Sequence, residues 1–149
     1  MTTEEKRPLV SIATTLLSFA IYFVLAKERY PFELSSYEQA QFVAKAVLIF
    51  VPFSIIAKIV LFILYAIINA VITGEKEQGF MKDEFGKLVE WRSSLNSSYI
   101  FYLGFFIAMI ALVRGSDLPQ ILLILIFSLI TGSIVQDISQ FYYLRKGIQ

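Results

Sequence analysis

Four apolar runs, at residues 9–26, 42–73, 99–113 and 118–143, dominate this chain and leave it few ways to fold. Crossing a hydrocarbon core of about 30 Å takes roughly 20 helical residues at about 1.5 Å each. The first and third runs are slightly short of that and the second and fourth have residues to spare, so four crossings are the natural count. With 57% hydrophobic and only 17% charged residues, and a mean hydropathy of +0.69, 149 residues are far more apolar than a soluble domain of that size can hide. The expectation is an all-α membrane protein, a single integral membrane domain built as a four-transmembrane-helix bundle.

The second run would be about 48 Å long as a straight helix, so it must tilt, kink or protrude. Pro52 is the expected kink, because its ring crowds the carbonyl four residues earlier and it has no donor. "SSYE", Ser35 to Glu38, has capping-box form and predicts a helix start outside the membrane proper. Lys45 then lies near the interface, where its stem can snorkel. The only sizeable polar stretch is the loop at about 74–98. From Asp83 onward, Phe85, Leu88, Trp91 or Arg92, and Leu95 recur at helical spacing. The third helix should therefore begin in water, with Asp83 and Glu84 near its start and Trp91 near the headgroups.

Lys6 and Arg7 precede the first run as they would in a secretory signal, but residues 9–26 exceed a signal h-region and "KERYPF" is a poor cleavage site. The run reads as a retained transmembrane helix. Two basic residues fall in the N-terminal tail, four in the central loop (Lys76, Lys82, Lys87, Arg92) and two near the C-terminus (Arg145, Lys146). The other side has Lys27, Arg29 and Arg114, with Lys45 if it snorkels outward. The positive-inside rule then gives an N-in, C-in multi-pass protein of a bacterial cytoplasmic membrane. "FSIIAKIVLFILY" from Phe53 and "FSLITGSIVQDISQFYY" from Phe127 share a Phe-Ser start and an Ile-Val pair, and "AKERYP" parallels "VRGSDLP". These parallels describe two related helical hairpins, repeated about an axis along the membrane normal.

The chain has no cysteine and no histidine. That removes thiol nucleophiles, disulfides, the usual zinc sites and every His-dependent triad. No P-loop, dinucleotide fingerprint or nucleophile elbow is present, so no catalytic residues, cofactor or metal site are expected and the chain reads as non-enzymatic. A net charge of +1, with no run of more than two like charges, leaves no nucleic-acid footprint.

Two groups of residues stand out against the apolar background. On the second helix, Ser54, Lys58, Tyr65 and Asn69 fall at i, i+4, i+11 and i+15, within about 60° of the circumference at about 100° per residue. On the fourth, Ser128, Gly132, Ser133, Gln136, Asp137, Ser139 and Gln140 make a broader polar face. A charge at mid-bilayer costs at least about 2.5 kcal/mol and is normally turned inward or paired. Asp137 sits about 9 Å cytoplasmic of the midplane by helical rise, a distance a lysine side chain covers in large part. Lys58 and Asp137 are therefore candidate ligand or ion residues, with Tyr65, Asn69, Gln136 and Gln140 around them. The plainer alternative has Lys58 bonded to carbonyls or to Tyr65 and Asn69, and Asp137 hydrated. Ser11, Thr14, Thr15 and Ser18, and Gly104 with Ala108, read as small residues that let helices pack closely.

The second group is "KDEFGKLVEWR", residues 82–92. Asp83, Glu84, Lys87, Glu90 and Arg92 are the candidate partner contact, although i,i+4 pairing such as Asp83 with Lys87 gives a solvated helix face as the alternative.

This entry to the third helix, together with the ending Tyr143, Arg145, Lys146 and Gly147, resembles a family of uncharacterised small bacterial four-helix integral membrane proteins. In that family a "DER-x-x-x-I-E-x-[RK]" entry precedes the third helix and a "[YF]-x-[RK]-[RK]-G" ending follows the fourth. Asp83, Glu84, Glu90 and Arg92 match the first pattern, and Phe85 stands where arginine is usual. The resemblance implies the four-helix topology and carries no activity. The functional expectation is a partner-binding or self-assembling membrane module, its partners being the bilayer and a second copy or another membrane protein. The alternative is a small transporter or channel with a polar path lined by Lys58 and Asp137.

Overall fold

The computed structural model describes residues 3–73 and 84–147. Four helices follow in order, α1 (Thr3–Glu28), α2 (Ser36–Thr73), α3 (Glu84–Val113) and α4 (Leu118–Lys146), with no strand among the described residues. All four are long and apolar enough to cross a membrane, which makes the chain a multi-pass four-helix membrane protein. Each helix is longer than its apolar run, because hydropathy marks the hydrocarbon whereas backbone hydrogen bonding continues through the interface until a cap or turn stops it.

The stops are legible residue by residue. Glu38 Oε2 accepts from Ser35 N at 3.1 Å and from Ser35 Oγ at 2.8 Å, while Glu38 N donates to Ser35 Oγ at 3.4 Å. This is the capping box that "SSYE" announces. Pro52 lies inside α2, which stays a single helix on both sides of it. Gly115, at φ 83°, ends α3; Ser116 N bonds Ala111 O at 3.1 Å and Gly115 N bonds Leu112 O at 3.0 Å. That bond pair is a Schellman motif, whose left-handed position favours glycine. Two residues later Asp117 stands at the N-cap position of α4 without a side-chain capping bond, with Pro119 in the first turn. Ser36 Oγ donates to Asp117 Oδ1 at 3.4 Å, tying the start of α2 to the start of α4.

α4 is the hub. It packs against α1, α2 and most extensively α3, while α3 reaches neither α1 nor α2 among the described residues. The contacts are therefore not two-fold: α4 meets α1, but its counterpart contact between α2 and α3 is missing. The intimacy of α3 with α4 comes from small residues. Gly104, Ala108 and Ser93 on α3 and Ser128 and Gly132 on α4 are all buried. A Cβ added at Gly104 would fall inside the envelope of the Ser128 side chain, and one at Gly132 would lie 3.0 Å from Ser97 Oγ. Lipid tails supply no hydrophobic drive between helices, so this close packing is what holds the pair together.

Replacing Gly104 by alanine should cost about 1–3 kcal/mol, the usual penalty for overpacking. A lower detergent-solubilised melting temperature, partly restored by adding Ser128→Gly, is the expected result; an unchanged melting temperature would mean that α3 and α4 do not approach this closely.

Candidate functional site

α4 presents two polar faces. One turns to α3, where Asn96 Nδ2 donates to Ser139 Oγ at 3.0 Å and to the Tyr143 hydroxyl at 3.2 Å. The other turns to α1 and α2. There Asp137 is only 8% exposed, and its carboxylate takes a hydrogen bond from Ser11 of α1. One helical turn earlier on α4, Ser133 Oγ accepts from Lys58 Nζ of α2 at 3.4 Å. Lys58 is half-buried.

The structure thus brings Lys58 and Asp137 into one cluster without a direct salt bridge. Ser133, one turn before Asp137 on α4, is the hydroxyl that Lys58 reaches. An ammonium has three hydrogens to place, and Lys58 places one of them, at long range, among the described residues. Asp137 Oδ2 and Thr15 Oγ1 are buried with no hydrogen-bond partner among the described residues. A buried group left unpaired costs about 1–3 kcal/mol, so the site sits at the expensive end of what a bundle tolerates.

The remaining candidates fall around this centre. Tyr65 is half-buried two turns further along α2, and Ser54 donates to Val51 O at 2.8 Å. The side chain of Asn69 lies outside the described residues. Gln136 and Gln140 are half-buried. By rotation of about 100° per residue they lie between Ser133, which meets α2, and Ser139, which meets α3. They therefore line the strip of α4 between two helices that do not touch.

Ser11 and Thr15 are the site members that a packing interpretation of α1 overlooks. Ser11, Thr15 and Ser18 recur at i, i+4 and i+7 and are all buried, a polar stripe on an apolar helix. Its relevance lies in its depth, since antiparallel pairing sets the start of α1 against the end of α4, where Asp137 is. Thr14 has a local role, donating to Val10 O at 2.7 Å.

The second candidate group begins outside the described residues, where Asp83 lies. Glu84, Lys87, Glu90 and Arg92 are exposed on the first turns of α3, with Val89 and Ser93 buried beneath them. Among the described residues no group of three carboxylates gathers where it could hold a metal ion. Comparisons of the chain with protein families, curated proteins and solved structures find no match.

A double-mutant cycle of Lys58→Met and Asp137→Asn should return a coupling of about 0.5–3 kcal/mol, as expected for members of one polar network. Strictly additive losses in thermal stability would show that the two charges do not sense each other.

Proposed function

We propose that this protein is a non-enzymatic membrane module that binds a protein partner, or a second copy of itself, through the first turns of α3. The observation that carries the reading is the apolar surface there. α3 has 30 residues, about 45 Å of helix, against a hydrocarbon core of about 30 Å. About ten residues at its start therefore lie beyond the core. In that stretch Phe85, Leu88 and Trp91 are 41%, 43% and 59% exposed; Trp91 lies opposite buried Val89 and Ser93, Leu88 lies on the flank, and Phe85 continues the Val89 stripe one turn beyond the buried contact. Trp91 is suited to the headgroup layer. Phe85 and Leu88, with Glu84, Lys87 and Arg92 interleaved, form an apolar patch rimmed by charge, the composition of an interaction surface. The distribution of Lys and Arg supports placing this surface in the cytoplasm of a bacterial cell, with both termini on the same side.

Native mass spectrometry of the full chain released gently from membranes tests this directly. The reading expects a defined oligomer or a stoichiometric protein partner. The complex should be lost on Glu84→Lys with Glu90→Lys and retained on Lys58→Met; the reverse pattern would overturn it.

A second reading, a small transporter or channel, is favoured by one specific observation. Asp137 is buried with one carboxylate oxygen unpartnered among the described residues, near Ser11, Ser133 and Lys58, and intramembrane ionisable groups commonly mark ion or proton pathways. On that reading, solute or proton flux into liposomes falls when Asp137 becomes asparagine. Flux indifferent to the change, or no flux at all, counts against it.

A further inference from the structure

At the opposite end of the bundle from Asp137, α1, α2 and α4 enclose a groove of about 360 Å³. Phe19, Tyr22, Phe50, Ala46 and Phe127 are among its walls, and Lys27 and Tyr30 stand at its mouth beside the α1–α2 turn. The aromatic rings brace one another: Phe19 lies 5.7 Å from Phe127 and 6.1 Å from Phe50, and Tyr22 lies 5.1 Å from Phe50. The polar tips within this lining are occupied. The Tyr22 hydroxyl donates to Ala46 O at 2.6 Å, and the Tyr30 hydroxyl donates to Gln39 Oε1 at 3.1 Å. Gln39 in turn donates to Phe32 O and Leu34 O, which fixes the turn that forms the rim.

Lys27 is the exception. It lines the groove and is exposed, and its ammonium makes no hydrogen bond or ion pair among the described residues. Glu28, Arg29 and Glu33 on the same turn are also exposed, but they do not line the groove. Among the described residues, the charged side chain that lines the groove is positive, above apolar walls. From Phe19 to Lys27 is eight residues, about 12 Å of depth. The volume is at the small end of ligand sites, enough for one chain and too little for a bulky headgroup. A dry apolar cleft holds an apolar guest, and a lysine whose stem lies along apolar surface carries its ammonium to the phosphate layer.

We propose that this groove holds one acyl chain of an anionic phospholipid, with the lipid phosphate against Lys27. The assignment is independent of the α3 contact surface, since the two share no residue.

The test uses the full chain in phosphatidylcholine nanodiscs carrying a trace of phosphatidylglycerol or of phosphatidylcholine with a diazirine in the acyl chain. Labelled peptides are mapped by mass spectrometry. The phosphatidylglycerol probe should mark groove residues about five-fold more than the phosphatidylcholine probe, the factor one lysine supplies near an anionic surface. It should also mark them more than Ile59 and Ile63, which are exposed on α2. Lys27→Gln, a change at an exposed position, should bring the two probes level, and Ala46→Phe should fill the groove and remove its labelling by both. Equal labelling by the two probes in the unaltered protein, labelling spread evenly over all apolar faces, or a preference that survives Lys27→Gln would each overturn the proposal.

Discussion

The close approach of α3 to α4 at Gly104 and Ser128 is the contact on which the other arrangements depend. With no water to expel between helices, association in lipid rests on packing and on hydrogen bonds across the interface. Small residues bring these two backbones near enough for both. The same register that seats Gly104 against Ser128 and Ser97 against Gly132 also delivers Asn96 to Ser139 and Tyr143. α4, fixed on that side, turns its other polar face to α1 and α2, and Asp137 enters the bundle there.

Charge and burial divide the molecule along its length. Towards the chain termini, α1, α2 and α4 converge on hydroxyls, a carboxylate and an ammonium. Towards the α1–α2 and α3–α4 turns, the same three helices meet through aromatic rings and leave a groove.

Much of the architecture is legible in the sequence because hydropathy and capping chemistry are local. The four crossings, the capping box at Ser35, the Gly104 and Ala108 packing face and the early start of α3 can all be read from short windows. The partner of Lys58 cannot. Ser54, Lys58, Tyr65 and Asn69 define a stripe, yet which helix that stripe meets depends on pairing across the bundle, and the hydroxyl that answers is Ser133 rather than a carboxylate. Ser11 and Thr15 are hidden for the same reason. Small hydroxyl residues serve packing in most transmembrane helices, and only their level against Asp137 sets these two apart. The aromatic groove is equally non-local, since it needs α1, α2 and α4 together and leaves no motif in any of them.

The position of the hub in the chain has a consequence for biogenesis. α4 follows the other three in order of synthesis, and among the described residues α3 has no helix but α4 to lean on. When α1, α2 and α3 have entered the bilayer, α3 has no packing partner and its Gly104 face is open to lipid or to other helices. α1 and α2 can already pack on each other at that stage, but the bundle is completed only when the last helix arrives. Until α4 arrives, Lys58 and Ser11 have neither Ser133 nor Asp137 to bond, so the interval between insertion of α2 and of α4 is when this protein is most exposed to membrane quality control.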